Sequence, residues 1–201
     1  EKLQKWQITG LISFLKKVGI SPDRIHPSFC AGGTVRELTR GKYTFDFTIP
    51  EDTISKMAFL ENGIPEENLI GDSTRDTLLS LHVHRPTPWG YRNEININLG
   101  TRESQQFLDI GTIEYTLWKP AFDGNGLEPK NIIGIEESPD GTSISAVGLE
   151  RLCMVINGLP TIRNLDYIAP VYDAYASVGE SQDESAIESL RALHRIYSDV
   201  R

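Results

Sequence analysis

Apolar residues recur at helical spacing at Ile8, Leu11, Ile12, Leu15 and Val18, and Gly19 follows as a C-terminal signal. Residues 8–18 therefore predict an amphipathic helix packed on a sheet. Ile20-Ser21-Pro22-Asp23-Arg24-Ile25 leads into Pro27-Ser28-Phe29-Cys30-Ala31, and Gly32-Gly33 interrupts the chain after it. Tyr43, Phe45, Phe47 and Ile49 alternate with Thr44, Asp46 and Thr48, the period of a half-buried strand. After Pro50, the acids Glu51 and Asp52 favour a helix start, and Ile54, Met57, Ala58 and Leu60 give that helix an apolar face until Gly63. Residues 63–70 repeat the logic of residues 19–25, suggesting two helix, turn, strand units, although eight similar residues are too few to establish a duplication.

From Leu78 onward strands dominate: Leu78 to Val83, Glu94 to Leu99, Phe107 to Trp118, Asn131 to Ile135 and Thr142 to Val147. Turn signals at Pro86, Pro88-Trp89-Gly90, Gly100, Asp123-Gly124-Asn125-Gly126 and Asp140-Gly141 separate them. Several of these connections are too short for a parallel crossover, so the expected fold is α+β, a mostly antiparallel sheet flanked by helices. Leu152-Cys153-Met154-Val155-Ile156 continues as a buried helix. Glu184 to Tyr197, with Ile187, Leu190, Leu193, His194 and Tyr197 on one face, predicts a closing helix. The 201 residues suit one domain with helix and strand units over 1–77, a sheet core over 78–158 and a helical tail over 159–201.

The hydrophobic fraction of 39% and charged fraction of 24% are ordinary for a globular protein. No apolar run approaches the roughly 20 residues of a membrane helix, and neither end reads as a signal peptide, so no membrane partner and a cytoplasmic location are expected. Cys30 and Cys153 lie in apolar surroundings far apart in sequence, which predicts buried thiols rather than a disulfide or a metal site. With 20 basic and 28 acidic residues the net charge is −8, which opposes an unaided grip on nucleic acid. The chain opens on Glu1-Lys2-Leu3-Gln4 without methionine, as a piece of a longer protein would.

Candidate chemistry centres on Ser145-Ala146-Val147-Gly148-Leu149-Glu150-Arg151-Leu152, a small-residue turn opening an apolar helix with an arginine in its first turn. Such a cation at a strand end could grip a polyphosphate, although charged first turns are also common on surfaces. His82 and His84 share a strand face, but no third or fourth metal ligand is spaced nearby, so they are read as structural or solvent-facing. Glu136-Glu137 and Asp183-Glu184 are read as solvated acidic pairs.

Four segments in order resemble the alanyl-tRNA synthetase type of class II aminoacyl-tRNA synthetase. They are residues 63–70, Thr87-Pro88-Trp89-Gly90-Tyr91-Arg92-Asn93-Glu94-Ile95, Phe107-Leu108-Asp109-Ile110, and Gly148-Leu149-Glu150-Arg151-Leu152. The second is similar to that family's Gly-Pro-Cys-Gly-Pro-Cys-Ser-Glu-Ile element, the third to Phe-Leu-Glu-Ile-Trp-Asn, and the fourth to Asp-Thr-Gly-Met-Gly-Leu-Glu-Arg, the third class II motif. The loop at residues 123–129 stands between the last two, as in the family. The resemblance implies a class II catalytic fold and formation of an aminoacyl-adenylate from an amino acid and ATP with Mg2+. Transfer to tRNA would require additional domains or subunits, and homo- or hetero-oligomers are compatible with it. It also implies that Arg151 holds the ATP γ-phosphate, that Gly148 lets the backbone approach the ligand, and that Asp109, one methylene shorter than the family's glutamate, supports magnesium.

Departures alter the implied amino-acid pocket, formed by Trp89, Thr112, Ile144 and Ala146. Thr112 replaces an asparagine, Gly111 a tryptophan and Trp89 a cysteine, while Ile144 replaces the aspartate that pairs with the substrate ammonium. Loss of that counter-charge argues against ordinary alanine recognition. The second class II motif would precede residue 1. Its nearest internal substitute, Ala31-Gly32-Gly33-Thr34-Val35-Arg36-Glu37-Leu38-Thr39-Arg40, is out of order and is read as an exposed polar loop. Three readings stay open: an adenylate-forming ligase or a fragment of one, a binding or assembly subunit that has lost ATP chemistry, and a stand-alone paralogue activating a different amino acid for a small-molecule pathway.

Overall fold

The computed structural model describes residues 2–39, 43–73, 77–80, 88–101, 104–127, 132–139, 141–170 and 173. The chain divides into two compact units, Glu1–Leu149 and Glu150–Arg201. The first contains helices α1 (Lys2–Lys17) and α2 (Thr53–Glu61) and strands β1 (Ile25–Cys30), β2 (Gly33–Thr39), β3 (Tyr43–Ile49), β4 (Ile70–Asp72), β5 (Leu78–Ser80), β6 (Trp89–Asn98), β7 (Phe107–Phe122), β8 (Ile132–Glu137) and β9 (Ser143–Val147). The predicted first helix begins six residues earlier than its apolar repeat, because Gln4 is drawn into buried hydrogen bonds that extend it. The expected strand at 78–83 is seen over Leu78–Ser80. Its remainder, with His82, His84 and the Glu184–Tyr197 helix, lies outside the described residues.

The seven-stranded sheet runs β4-β1-β6-β7-β8, with β5 also on β6 and β9 also on β7. It is mixed rather than mostly antiparallel: β1 pairs with β4 in parallel, Ser28 opposite Ile70 and Cys30 opposite Asp72. The parallel pair arises from the two similar units. Each is a helix ended by a left-handed glycine, Gly19 (φ 93) or Gly63 (φ 84), then a 3-10 turn and a strand. Both helix ends form the same paired closure, Gly19 N–H to Lys16 O at 3.1 Å with Ile20 N–H to Leu15 O at 2.9 Å, and Gly63 N–H to Leu60 O at 2.9 Å with Ile64 N–H to Phe59 O at 3.2 Å. Two like-oriented exits then deliver β1 and β4 side by side, and Asn68 Nδ2 ties the turns together by donating to Asp23 O at 2.8 Å. A Cβ on Gly19 would meet nothing within 4 Å. Gly19→Ala should therefore cost only the left-handed backbone penalty, about 1 kcal/mol, in urea denaturation.

Residues Gly33–Thr39, expected as an exposed loop, instead form β2, paired antiparallel with β3 from Gly33 opposite Ile49 to Thr39 opposite Tyr43. The alternating strand at 43–49 supplies a template, and β-branched Thr34, Val35 and Thr39 accept extended geometry despite the charges between them.

Helices α1 and α2 contact each other, α1 also contacts β7 and β9, and α2 contacts β1. The buried positions Ile8, Leu11, Ile12 and Leu15 face the same interior as Ile25, Ile95, Ile97 and Ile113. At the other end of the sheet, Trp89, Tyr91, Cys30 and Ile49 form a second buried cluster, against which Leu117, Trp118 and Ile135 pack. The cysteines are unpaired thiols, Cys30 buried and Cys153 half-buried.

A polar network lies beneath the helices. Asp52 caps α2 by accepting from Ser55 N at 3.1 Å, and also accepts from Gln4 Nε2 at 2.8 Å and Asn93 Nδ2 at 3.4 Å. Ser55 Oγ donates to Asn93 Oδ1 at 3.0 Å, and Tyr115 Oη donates to Gln4 O at 3.1 Å. This set joins α1, α2, β6 and β7 in one core.

The second unit begins at Glu150, in the first turn of α3 (Leu149–Ile156), whose Leu152, Met154 and Val155 are buried. Gly158 (φ 60) closes the helix as Gly19 and Gly63 close theirs, with Leu159 N–H bonded to Met154 O at 3.0 Å. A 3-10 turn at Ile162–Asn164 follows, capped by Thr161, and Leu165 and Ile168 are buried.

Candidate functional site

Strand register assembles a polar face on the side of the sheet opposite α1 and α2. Residues paired across neighbouring strands project to the same side. Arg92 of β6 stands opposite Glu114 of β7, which stands opposite Ile144 of β9. One step along, Glu94 stands opposite Thr112, and Thr112 opposite Ala146. Asn96 follows on β6, facing His26 of β1 on one side and Asp109 of β7 on the other.

Asp109 and Thr112 are three residues apart, a spacing that would place them on opposite faces of a regular strand. A register shift brings them to one side: Ile95 pairs with Gly111 and Asn96 with Asp109, so Ile110 is the extra residue of a bulge and stays buried. Asp109 Oδ1 accepts from Gly111 N at 3.0 Å, which braces the bulge and aims the carboxylate. Gly111 is required by close approach to β9, since a Cβ there would lie 2.5 Å from Ala146 O. A larger residue, such as the tryptophan suggested by the resemblance, does not fit this strand pairing.

Charges on this face are unevenly compensated. Arg92 Nη2 pairs with Glu94 Oε1 at 3.1 Å, while Arg92 Nε stands 3.7 Å from Glu114 Oε1, beyond hydrogen-bond range. Burial pushes the Glu114 carboxyl above its ordinary range, and nearby Arg92 offsets only part of that. Arg92 Nε and Thr112 Oγ1 are buried and have no hydrogen-bond partner among the described residues. His26, packed against the Phe107 ring at 4.8 Å between centroids, is shifted downward by burial, which favours the neutral imidazole.

Of the residues singled out in the sequence, Asp109, Thr112, Ile144 and Ala146 share this face, with Ile144 and Ala146 exposed. Gly148 follows β9, and its N–H donates to Ile110 O at 2.8 Å, tying the Gly-Leu-Glu-Arg turn to the bulge strand. Trp89 is 5% exposed and packs in the core cluster with Tyr91. Arg151 belongs to the second unit, half-buried in the first turn of α3. Sequence reasoning missed Arg92, Glu94 and Glu114 as members of the face. Glu94 and Glu114 fall in expected strands, but Arg92 precedes the expected start at Glu94, and the register that joins the three is not visible in the sequence.

Among the described residues no three His, Cys, Asp or Glu side chains come together as a metal site. Magnesium is commonly held by one or two carboxylates, with phosphates and water completing the shell, a donor set that a single carboxylate such as Asp109 would fit. Among the described residues no helix is long and apolar enough to cross a membrane.

The fold and face define an α+β domain with a mixed, helix-backed sheet presenting polar and charged groups on its second side. No protein-family model matches the chain. An alanine-tRNA ligase of Renibacterium salmoninarum is 28% identical over 145 residues, which covers 69% of this chain and 16% of that protein. This similarity supports an alanyl-tRNA synthetase-like relationship, and the chain spans less than a fifth of the relative it matches.

Proposed function

We propose that this chain carries part of an alanyl-tRNA synthetase-like catalytic core that forms an aminoacyl-adenylate from an amino acid and ATP. The observation carrying the reading is that three of the four resembling segments lie together: β6 adjoins the β7 bulge, β9 pairs with β7, and Gly148 after β9 is bonded to Ile110 of the bulge. The similarity to an alanine-tRNA ligase over 145 residues supports the same reading. In this assignment Asp109 holds magnesium on the nucleotide and Gly148 admits the backbone to the ligand, while for Arg151, in the second unit, a γ-phosphate contact rests on the resemblance alone. Magnesium would neutralise phosphate charge during attack of the amino-acid carboxylate at the α-phosphate. Activity on tRNA, and with it a role in protein biosynthesis, would draw on further domains or subunits.

An amino acid other than alanine is favoured by the reshaped pocket, in which Gly111, Thr112 and Ile144 stand where the family resemblance has tryptophan, asparagine and aspartate. Amino-acid-dependent exchange of labelled pyrophosphate into ATP tests the proposal across a panel of amino acids. Exchange with an amino acid other than alanine is expected, and exchange specific to alanine would refute the pocket assignment. Absence of exchange with every amino acid would favour the binding or assembly subunit. ATP with magnesium should bind more weakly than micromolar by calorimetry, since the resemblance includes no second-motif arginine in this chain.

A further inference from the structure

The face of α1 turned away from the core is apolar as well. Ile8, Leu11, Ile12 and Leu15 fill its buried side, yet Trp6 is 69% exposed, Leu3 48% and Phe14 42%. A surface helix ordinarily carries polar residues there. Trp6, Gly10 and Phe14 follow at intervals of four residues, so they form one ridge along the helix surface, and Leu3 extends it at one end. Gly10 is the informative member. It sits in the interior of α1 without a positive φ, and a Cβ there would meet nothing within 4 Å among the described residues. Neither a turn nor packing against those residues calls for glycine, which in a helix interior costs about 0.5–1 kcal/mol relative to alanine. A notch between two exposed aromatic rings on one ridge suits the close approach of a second helix.

We propose that this ridge is a self-association surface, on which α1 of a second copy of the chain packs antiparallel and crosses at Gly10. The spacing selects a second copy. Trp6 and Phe14 stand equally far on either side of Gly10, so a two-fold axis through Gly10 sets Trp6 of each copy against Phe14 of the other, with backbone against backbone at the notch. Ridges of this kind pack at about 50°, the commonest helix crossing in globular proteins. Charge is compatible with that geometry. The helix carries four lysines and no acid, but Lys5 pairs with Glu61 at 3.1 Å and Lys16 donates to Asn62 O at 2.7 Å, both off the ridge. The crossing splays the helix ends and holds Lys2 and Lys17 of opposite copies about 10 Å or more apart, where salt screens them. Leu3, Trp6 and Phe14 contribute roughly 300 Å² of side-chain surface per copy, at the low end of interface size, so the dimer is weak and concentration-dependent. The surface lies on the helix side of the sheet, away from the polar face, and does not rest on the amino-acid reading above.

Sedimentation equilibrium of the 201-residue chain between about 5 and 500 μM tests the proposal. The chain should pass from monomer toward dimer over that range. Trp6→Ala should weaken association at least about thirtyfold, as loss of a central aromatic anchor does. Gly10→Leu should weaken it as much by filling the notch. Gly10→Ala should weaken it severalfold and, in dilute solution, raise the urea midpoint, because alanine is the better helix former. Sodium chloride at about 0.5 M should leave the dissociation constant unchanged or lower it, since only lysines approach one another across the axis. A monomer at every concentration would assign the ridge to a different occupant and overturn the proposal. Association unchanged in folded Trp6→Ala or Gly10→Leu, or weakened more than about tenfold by that salt, would also overturn it. Should Gly10→Leu fail to fold, unchanged association in Gly10→Ala would overturn it instead.

Discussion

Gly90→Ala is expected to unfold the first unit or leave it without fixed tertiary packing. A Cβ at this position would stand 1.4 Å from Tyr115 O, 2.5 Å from Tyr115 C and 2.8 Å from Thr116 Cα. All three are backbone atoms, so no side chain can swing away to make room. Relief requires β6 and β7 to separate at Gly90, where the register already shifts between Trp89 and Gly90. Separation there would also open the buried cluster of Trp89, Tyr91, Cys30 and Ile49 and the edge-on contact of Tyr91 with Trp118 at 5.1 Å. The combined loss should exceed about 4 kcal/mol, a large part of the stability of an ordinary domain. Urea denaturation with near-ultraviolet circular dichroism measures it, and stability within about 1 kcal/mol of the parent would contradict this strand pairing. Gly111→Ala should cost less, because the clash is with Ala146 O at 2.5 Å and only the short strand β9 need yield.

The contrast between these glycines and the helix-ending ones bears on what the sequence made legible. Gly19 and Gly63 were readable as helix stops because their role is local, set by the apolar repeat that precedes them. Gly90 and Gly111 are demanded by strands distant in sequence, and nothing beside them announces the contact. The same distinction runs through the fold. Strand alternation in 43–49 was visible and β6 only from Glu94 onward, its start at Trp89-Gly90 reading as a turn, whereas the parallel pairing of β1 with β4 joins Ser28 to Ile70 across a long stretch of chain. The polar segment Gly33–Thr39 read as a loop because its strand character comes from its partner β3. In the candidate site, Asp109, Thr112, Ile144 and Ala146 were found through motif order. Their common face, however, requires the bulge at Ile110, which a period-two reading does not contain. Glu114 escaped notice because a lone acid on a strand is usually solvated, and only register shows it between Arg92 and Ile144.

The second large effect is expected at Asp52, which sequence reasoning treated only as an acid favouring a helix start. It is 1% exposed and ties α1, α2 and β6 through Gln4, Ser55 and Asn93. Asp52→Ala removes the cap of α2, worth about 1 kcal/mol, and leaves the amide groups of Gln4 and Asn93 short of acceptors in a buried site. A total loss of about 2–4 kcal/mol is expected in urea denaturation. Asp52→Asn separates charge from shape. Burial is the leading influence on the Asp52 carboxyl and raises it above its ordinary value, against hydrogen bonds from Ser55, Asn93 and Gln4 that lower it. A carboxyl raised on folding contributes stability that is complete below the unfolded value, about 3.9, and is lost as pH rises through the folded one. Asparagine does not titrate, so wild type should lose ground relative to Asp52→Asn across that window and run parallel to it above. A constant offset between the two proteins at every pH would mean that the hydrogen bonds fully compensate burial. A difference running the other way would mean that they outweigh it and that Asp52 is held as a stabilised anion at the start of α2.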